Sequence, residues 1–444
     1  MGNLPPARLK GAFWILFLAA FPRTLFAEAP QPLNPTEVAR RFQQLENQMA
    51  QLQGELSSLK KQVEIKGPEE KTVYLPPSPN AGPKWLEGLE MGGDFRLRYE
   101  GIDHNEATRD QNRFRYRLRW KTEKHLTPNL DLGFRLVSGS TTDPTATNQT
   151  FTGDATFKSF LIDQAYAKYR PAFLTEHFPY LSKAEIAGGK FENPFFGATT
   201  SMVWDPDVTP EGFYESLEWG FLNKKFNPFV TTGQFILQES ATLSDSEMYG
   251  VQTGVRWTPP GFSEKSEVKI TNAFAYYNFS DFARDSNFTV GGVSLARGNT
   301  PLGSTNLAAG DFNILQFYND IKFKMAGVPL KFFGDFAFNA GDQTPDPDNQ
   351  NKAYEYGLRL GEAKKKGSWE ATYAYAYIEP NAVVGAFSES DFGNGFANKR
   401  GSLFGLKYKL TDAIGLAFRG SVASNVTGVN DETKRFQTDL EWVF

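Results

Sequence analysis

The stretch Arg113-Phe-Arg-Tyr-Arg-Leu-Arg-Trp-Lys121 places a cation at every second position and an apolar side chain between each pair. An extended strand, whose side chains alternate between two faces, separates these sets cleanly. One face then carries Phe114, Tyr116, Leu118 and Trp120, and the other Arg113, Arg115, Arg117, Arg119 and Lys121. An arginine facing hydrocarbon costs roughly 2–4 kcal/mol at a bilayer midplane. A dry protein core would accept this many cations only with an equal set of partners. The charged face therefore needs water, and the apolar face a greasy neighbour.

The same alternation returns along the chain. Phe95, Leu97 and Tyr99 oppose Asp94, Arg96, Arg98 and Glu100, and Leu130, Leu132, Phe134 and Leu136 oppose Asp131 and Arg135. Phe404, Leu406, Tyr408 and Leu410 oppose Lys407 and Lys409. At the end of the chain Phe436, Leu440, Trp442 and Phe444 oppose Arg435, Gln437, Asp439 and Glu441. Strand-sized units are predicted near 89–100, 112–122, 129–137, 158–170, 184–192, 212–221, 227–238, 247–258, 266–279, 312–325, 329–339, 353–363, 368–379, 401–410, 413–423 and 433–444. Short connections (326–328, 364–367, 411–412) alternate with long ones (138–157, 193–211, 280–311, 340–352, 380–400), the asymmetry of a membrane barrel. One segment, 171–183, is long where a short turn is expected. The fold class predicted is all-β: a 16-stranded antiparallel transmembrane β-barrel over 89–444, preceded by a short N-terminal coiled-coil helix.

Composition is consistent with this. Mean hydropathy is −0.44, unremarkable for a soluble chain, but alternating faces average out in a barrel. Forty Phe and 17 Tyr suit aromatic belts at the two interfaces. The absence of cysteine excludes disulfides and thiolate sites. A net charge of −4 with no uniformly basic block argues against a nucleic-acid partner.

Three segments precede the strands. Arg8 and Lys10, the apolar run 12–21 and the small residue Ala27 fit a signal peptide over 1–27, with an uncleaved anchor as the alternative. Within 35–65, Val38, Phe42, Leu45, Met49, Leu52, Leu56, Leu59 and Val63 are spaced alternately by four and three, an unbroken heptad pattern. So narrow a stripe fits packing against copies of itself, here in the periplasm. A helix laid on the barrel is the other reading. Residues 66–88 form a Pro-rich linker.

The candidate site follows from the wet face. Arg96, Arg98, Arg113, Arg115, Arg117, Arg119 and Arg135 come from three adjacent strands and would form a basic wall. If the connection 193–211 folds inward, Asp205, Asp207 and Glu211 would face it, and the transverse field would favour polar solutes. The alternative is that neighbouring Asp and Glu brace these arginines and stiffen the wall.

Several stretches resemble a known family. Phe95-Arg-Leu-Arg-Tyr99, Arg113 to Arg119, Asp143-Pro-Thr-Ala-Thr-Asn-Gln149, Asp163-Gln-Ala-Tyr166, Gly188-Gly-Lys-Phe-Glu-Asn-Pro194 and Trp204-Asp-Pro-Asp-Val-Thr-Pro-Glu-Gly212 look like the putative porin family of Gram-negative outer membranes. The resemblance implies a water-filled channel for passive diffusion of small hydrophilic solutes and ions, assembled as a homotrimer. A terminal aromatic strand ending in Phe444 resembles the signal read by the barrel-assembly machinery, and the outer-membrane lipid would cover the apolar face. An anion-selective channel, or a barrel anchoring a coiled-coil tether to the cell wall, are the rival readings.

No enzyme is expected. Neither G-x-S-x-G nor H-E-x-x-H occurs, and His104, His125 and His177 fall in predicted loops and turns. Asp342-Gln-Thr-Pro-Asp-Pro-Asp-Asn-Gln-Asn351 is rich in oxygen ligands but lacks the glycine and terminal glutamate of the usual calcium loop. It reads as a solvated external loop, and no cofactor or metal is expected.

Overall fold

The computed structural model describes residues 86–105, 110–239, 241, 244–262, 267–282, 289–290, 293–294, 296–301, 310–341, 350–393 and 395–444. The signal peptide, the coiled coil, nearly all of the linker and most of the 342–351 loop lie outside these residues.

Sixteen long antiparallel strands form one closed sheet. They are β1 (Leu89–His104), β2 (Gln111–Thr127), β3 (Leu130–Val137), β4 (Leu161–Tyr169), β5 (Leu181–Lys190), β6 (Glu211–Trp219), β7 (Phe226–Gln238) and β8 (Ser246–Trp257), then β9 (Lys269–Ser280), β10 (Phe312–Met325), β11 (Val328–Asn339), β12 (Lys352–Gly361), β13 (Trp369–Ile378), β14 (Lys399–Lys409), β15 (Ile414–Ser424) and β16 (Thr433–Val443). Each pairs with its sequence neighbours, and β1 closes the ring on β16 from Asp94↔Val443 to His104↔Thr433. The terminal residue takes part: Phe444 N–H donates to the Gly93 carbonyl at 3.1 Å, and Gly93 N–H returns the bond at 2.9 Å. Closure leaves no unpaired edge, which is what a spanning sheet requires in lipid.

A two-residue strand, Gln149–Thr150, pairs with β2 beyond the end of β3. The long segment 171–183 holds a short helix, Ala172–His177, and β5 begins earlier than the sequence suggested. His104 and His125 also differ from expectation: they lie in β1 and β2, because both strands run on past the last alternating aromatic, while His177 ends the helix.

Burial is inverted relative to a soluble protein. Leu97, Tyr99, Phe114, Phe134, Phe317, Phe404 and Leu406 are exposed on the outward parity, while Arg96, Arg98, Glu100 and Asp439 are buried on the inward one. The apolar core lies inside too, but only against part of the wall. Phe191, Phe195, Met202 and Trp204, all from the β5–β6 connection, pack with Phe235, Met248, Tyr277 and Phe312.

Candidate functional site

Two long connections turn inward and meet. The first, 191–210, is held against β8, β10 and β11. Asp335 on β11 accepts the Thr200 N–H at 2.7 Å and the Gln316 amide at 2.8 Å. Gln252 donates to the carbonyls of Phe195 at 3.1 Å and Ala198 at 3.0 Å. The second connection, 379–398, joins β13 to β14 and lies against the first. Asp205 N–H donates to the Phe387 carbonyl at 2.6 Å, Ser388 Oγ to Met202 at 2.7 Å, and Glu389 N–H to Ser201 at 2.9 Å. Trp204 stacks on Phe387 with ring centroids 5.8 Å apart.

The wall provides room for this insertion. Ala273, Ala275, Ala337, Ala353, Ala374 and Ala376 are buried on the inward face of four strands. At Gly250 a Cβ would stand 2.7 Å from the Phe195 ring, so this glycine is needed for close approach.

The predicted basic residues are brought together, each with a partner. Arg98 grips Asp439 through two bonds of 2.7 and 2.8 Å, and its third nitrogen donates to Asp391 at 2.9 Å. Asp94 accepts from Arg117 at 2.7 Å and from Arg119 at 2.5 Å. Glu100, fully buried, accepts from Arg113 and, at 2.6 Å, from Arg435. Arg115 lies 3.7 Å from Glu100, and Arg135 pairs with Asp163. Arg96 and Arg115 are the least compensated: Arg96 donates to Asn148 at 2.6 Å, with Asp439 and Glu441 at 3.7 and 3.8 Å, and Arg115 donates to the Asn148 carbonyl at 3.3 Å.

Most compensating acids therefore stand on the wall itself and not on the opposing segment. Of the three predicted loop acids, Asp207 reaches the wall, 3.6 Å from Arg119, and accepts from Thr147 at 2.7 Å. Asp205 is buried where the two inward connections meet, accepting N–H groups from Asp207 and Ser390, both at 2.9 Å. Glu211 opens β6 and pairs with Lys190 at 3.0 Å. Asp391 and Arg435 were missed. Asp391 sits in a connection whose direction alternation cannot report, and Arg435 was read only as one polar side of a strand. A cavity of about 540 Å³ lies among Arg113, Arg115, Arg297, Arg435 and Asn148.

Two carboxyls at this junction are shifted in opposite directions. Burial, then the charges of Glu389 and Asp207, pushes Asp205 well above the usual range. Burial also raises Asp391, but Arg98, Arg435 and Arg419 more than reverse it and hold it well below. The Asp205 contribution is thus fully present below its unfolded value of about 3.9 and is lost as pH rises through the raised folded value. The Asp391 contribution is lost only in strong acid. The junction should be firmest in mild acid and loosen with rising pH. Single-channel current noise should grow as pH is raised above the ordinary carboxylate range, and Asp205→Asn should flatten that dependence; an unaltered pH profile in the variant would remove Asp205 as its source.

Glu123, His125 and Asp131 are close enough to hold a metal ion, yet each is already engaged. His125 and Asp131 share a 2.6 Å contact, Arg170 takes the second Asp131 oxygen at 2.6 Å, and Glu123 accepts from Tyr166 at 2.7 Å.

Comparison with known proteins agrees with this architecture. Residues 102–301 and 307–444 match the family described as "Putative porin". A search of curated proteins finds no match. Among solved structures, the fold is similar to Pseudomonas putida OprB at high pH, with 11% identity, 81% of this chain and 96% of that chain covered, and a TM-score of 0.51. Salmonella typhi OmpF in complex with daunomycin is similar at 11% identity, covering 81% of this chain and 99% of that one, TM-score 0.48. With a match over most of its length and a closed, inverted barrel, the chain belongs to the putative porin family, channel-forming β-barrels of the outer membrane.

Proposed function

We propose that this barrel is a passive diffusion channel for small hydrophilic solutes and ions, with permeation routed past the arginine side of the lumen. The observation that carries the reading is the inverted burial: charged side chains on the inward parity, apolar ones exposed on the outward parity. Ion pairs along β1, β2 and β16 keep the arginines fixed in place. They also offset much of the positive charge, so any anion preference should be weak, and the constraint on solutes is chiefly size and polarity. In this reading three copies associate in the outer-membrane lipid, aided by the periplasmic coiled coil of 35–65. The last strand with Phe444 serves the barrel-assembly machinery.

Purified protein in planar bilayers should give long-lived ohmic steps. Replacing Arg115 and Arg117 by Ala should move the reversal potential in a salt gradient toward cation preference. Folded barrels that pass no current would refute the channel, and unchanged reversal potentials would take these arginines out of the permeation path.

A further inference from the structure

Across the lumen from the arginines, a second set of cations stands in register with less to offset it. On the arginine side, like pairs such as Arg96↔Arg117 and Arg98↔Arg115 are each flanked by an acid in register: Arg96↔Glu441, Arg98↔Asp439, Asp94↔Arg119 and Glu100↔Arg113. On β9 to β12 the register reads Lys269↔Lys322, Lys322↔Lys331 and Lys331↔Arg359. Four cations on four consecutive strands thus stand directly opposite one another.

All four share the inward parity, with Ala273 and Ala275 on β9, Gln316 on β10, Asp335 on β11 and Ala353 on β12. The row lies close to the short-turn end: Lys322↔Lys331 is separated from the hairpin pair Met325↔Val328 by only two pairs. Like charges directly opposite in a sheet are destabilising, so this arrangement works against the fold unless something offsets it.

The carboxylates within reach offset it only in part. Glu362 meets Lys322 at 3.2 Å but also serves Lys364 at 2.8 Å. Asp320 is 3.3 Å from Lys331 and also accepts from Tyr318, and Glu370 is 3.7 Å from Arg359. Lys269 makes no ion pair among the described residues; the nearby Glu267 carboxylate acts on it and on Lys322 but is itself paired with Lys324 at 2.6 Å. With strands about 4.8 Å apart, the row extends roughly 14 Å around the wall.

We propose that Lys269, Lys322, Lys331 and Arg359 form a binding ledge for linear multivalent anions at the short-turn end of the lumen. Oligophosphates and oligocarboxylates share the required chemistry: several negative groups in line, spaced near the distance between strands. The proposal rests on the water-filled lumen of the diffusion-channel reading. It adds a second charged station, half the circumference away from the arginines. An anion passing through would be held there before release.

The test uses the whole protein in detergent, titrated calorimetrically with inorganic tripolyphosphate and, as the other chemistry, with citrate. Binding of either should weaken by about tenfold or more, 1.4 kcal/mol, in the double variant Lys322→Gln/Lys331→Gln. The charge-matched control Lys365→Gln/Lys366→Gln, on the exposed turn between β12 and β13, should bind as the unaltered protein does. If the glutamine variant fails to fold, Lys322→Arg/Lys331→Arg should keep the affinity. Equal weakening by the turn control, or no binding by the unaltered protein, would overturn the ledge. Conductance in simple salt, measured on the same preparation, separates the readings: a conducting barrel that binds neither anion loses only the ledge.

Discussion

Replacing Arg98 by Ala should destabilise the barrel by about 3–5 kcal/mol, the cost of leaving buried charge without its partner. Arg98 is 1% exposed, and Asp439, which it grips twice, is equally buried. The same guanidinium also holds Asp391, and through it the 379–398 connection. Removing it therefore leaves the buried Asp439 on β16 with only Arg96 at 3.7 Å and loosens an inward segment. Arg119 is the natural comparison, because its side chain is 24% exposed and water can replace part of the lost contact with Asp94. Arg119→Ala should cost about 1 kcal/mol or less. The midpoints of urea unfolding, followed by loss of the compact gel mobility of the folded barrel, would measure both. Equal shifts for the two variants would mean that Arg98 is solvated in the membrane-embedded protein.

How far the sequence carried this fold depends on which interaction lipid and water impose. Along the wall they enforce a period of two, so Phe114 to Lys121 could be placed in a strand with its faces assigned from local pattern alone. Strand number followed, because short turns such as Ala326-Gly327 punctuate the pattern. The arginine partners were less accessible. Arg98 and Asp439 are 341 residues apart, and they become neighbours only when β1 closes on β16. Pairing of that kind is set by register around a ring, which no local window contains. The inward course of 379–398 was hidden for another reason: a loop has no alternation to report its direction. A signal did exist in the wall opposite. Inward positions such as Ala337, Ala353 and Ala376 are small where an open lumen would favour polar side chains, which marks a surface already occupied. The helix Ala172–His177 stood out only as excess length in a turn.

That small-residue surface leads to the variant with the largest expected effect on transport. Gly250→Leu should push the 191–210 connection out of its seat and raise single-channel conductance by about twofold or more, since conductance follows the open cross-section. The Phe195 ring is completely buried, and a Cβ at Gly250 would lie 2.7 Å from its Cζ and 3.1 Å from Tyr277 Cδ1. Neither ring can retreat easily, because Phe195 and Tyr277 pack on each other at 5.1 Å and Tyr277 also meets Trp204 at 5.4 Å. The connection is the weaker party. It is tied to the wall by a few hydrogen bonds and by side-chain packing that the new Cβ disrupts, whereas β8 is paired along its length on both sides. Overpacking of this kind costs about 1–3 kcal/mol, which the closed sheet should survive. Gly334→Leu gives the matched control, because a side chain there points outward into open space. It should leave conductance unchanged. If Gly250→Leu folds and conducts like the unaltered protein, the 191–210 segment does not limit the passage, and the constriction must be sought along the arginine wall or at the 379–398 connection.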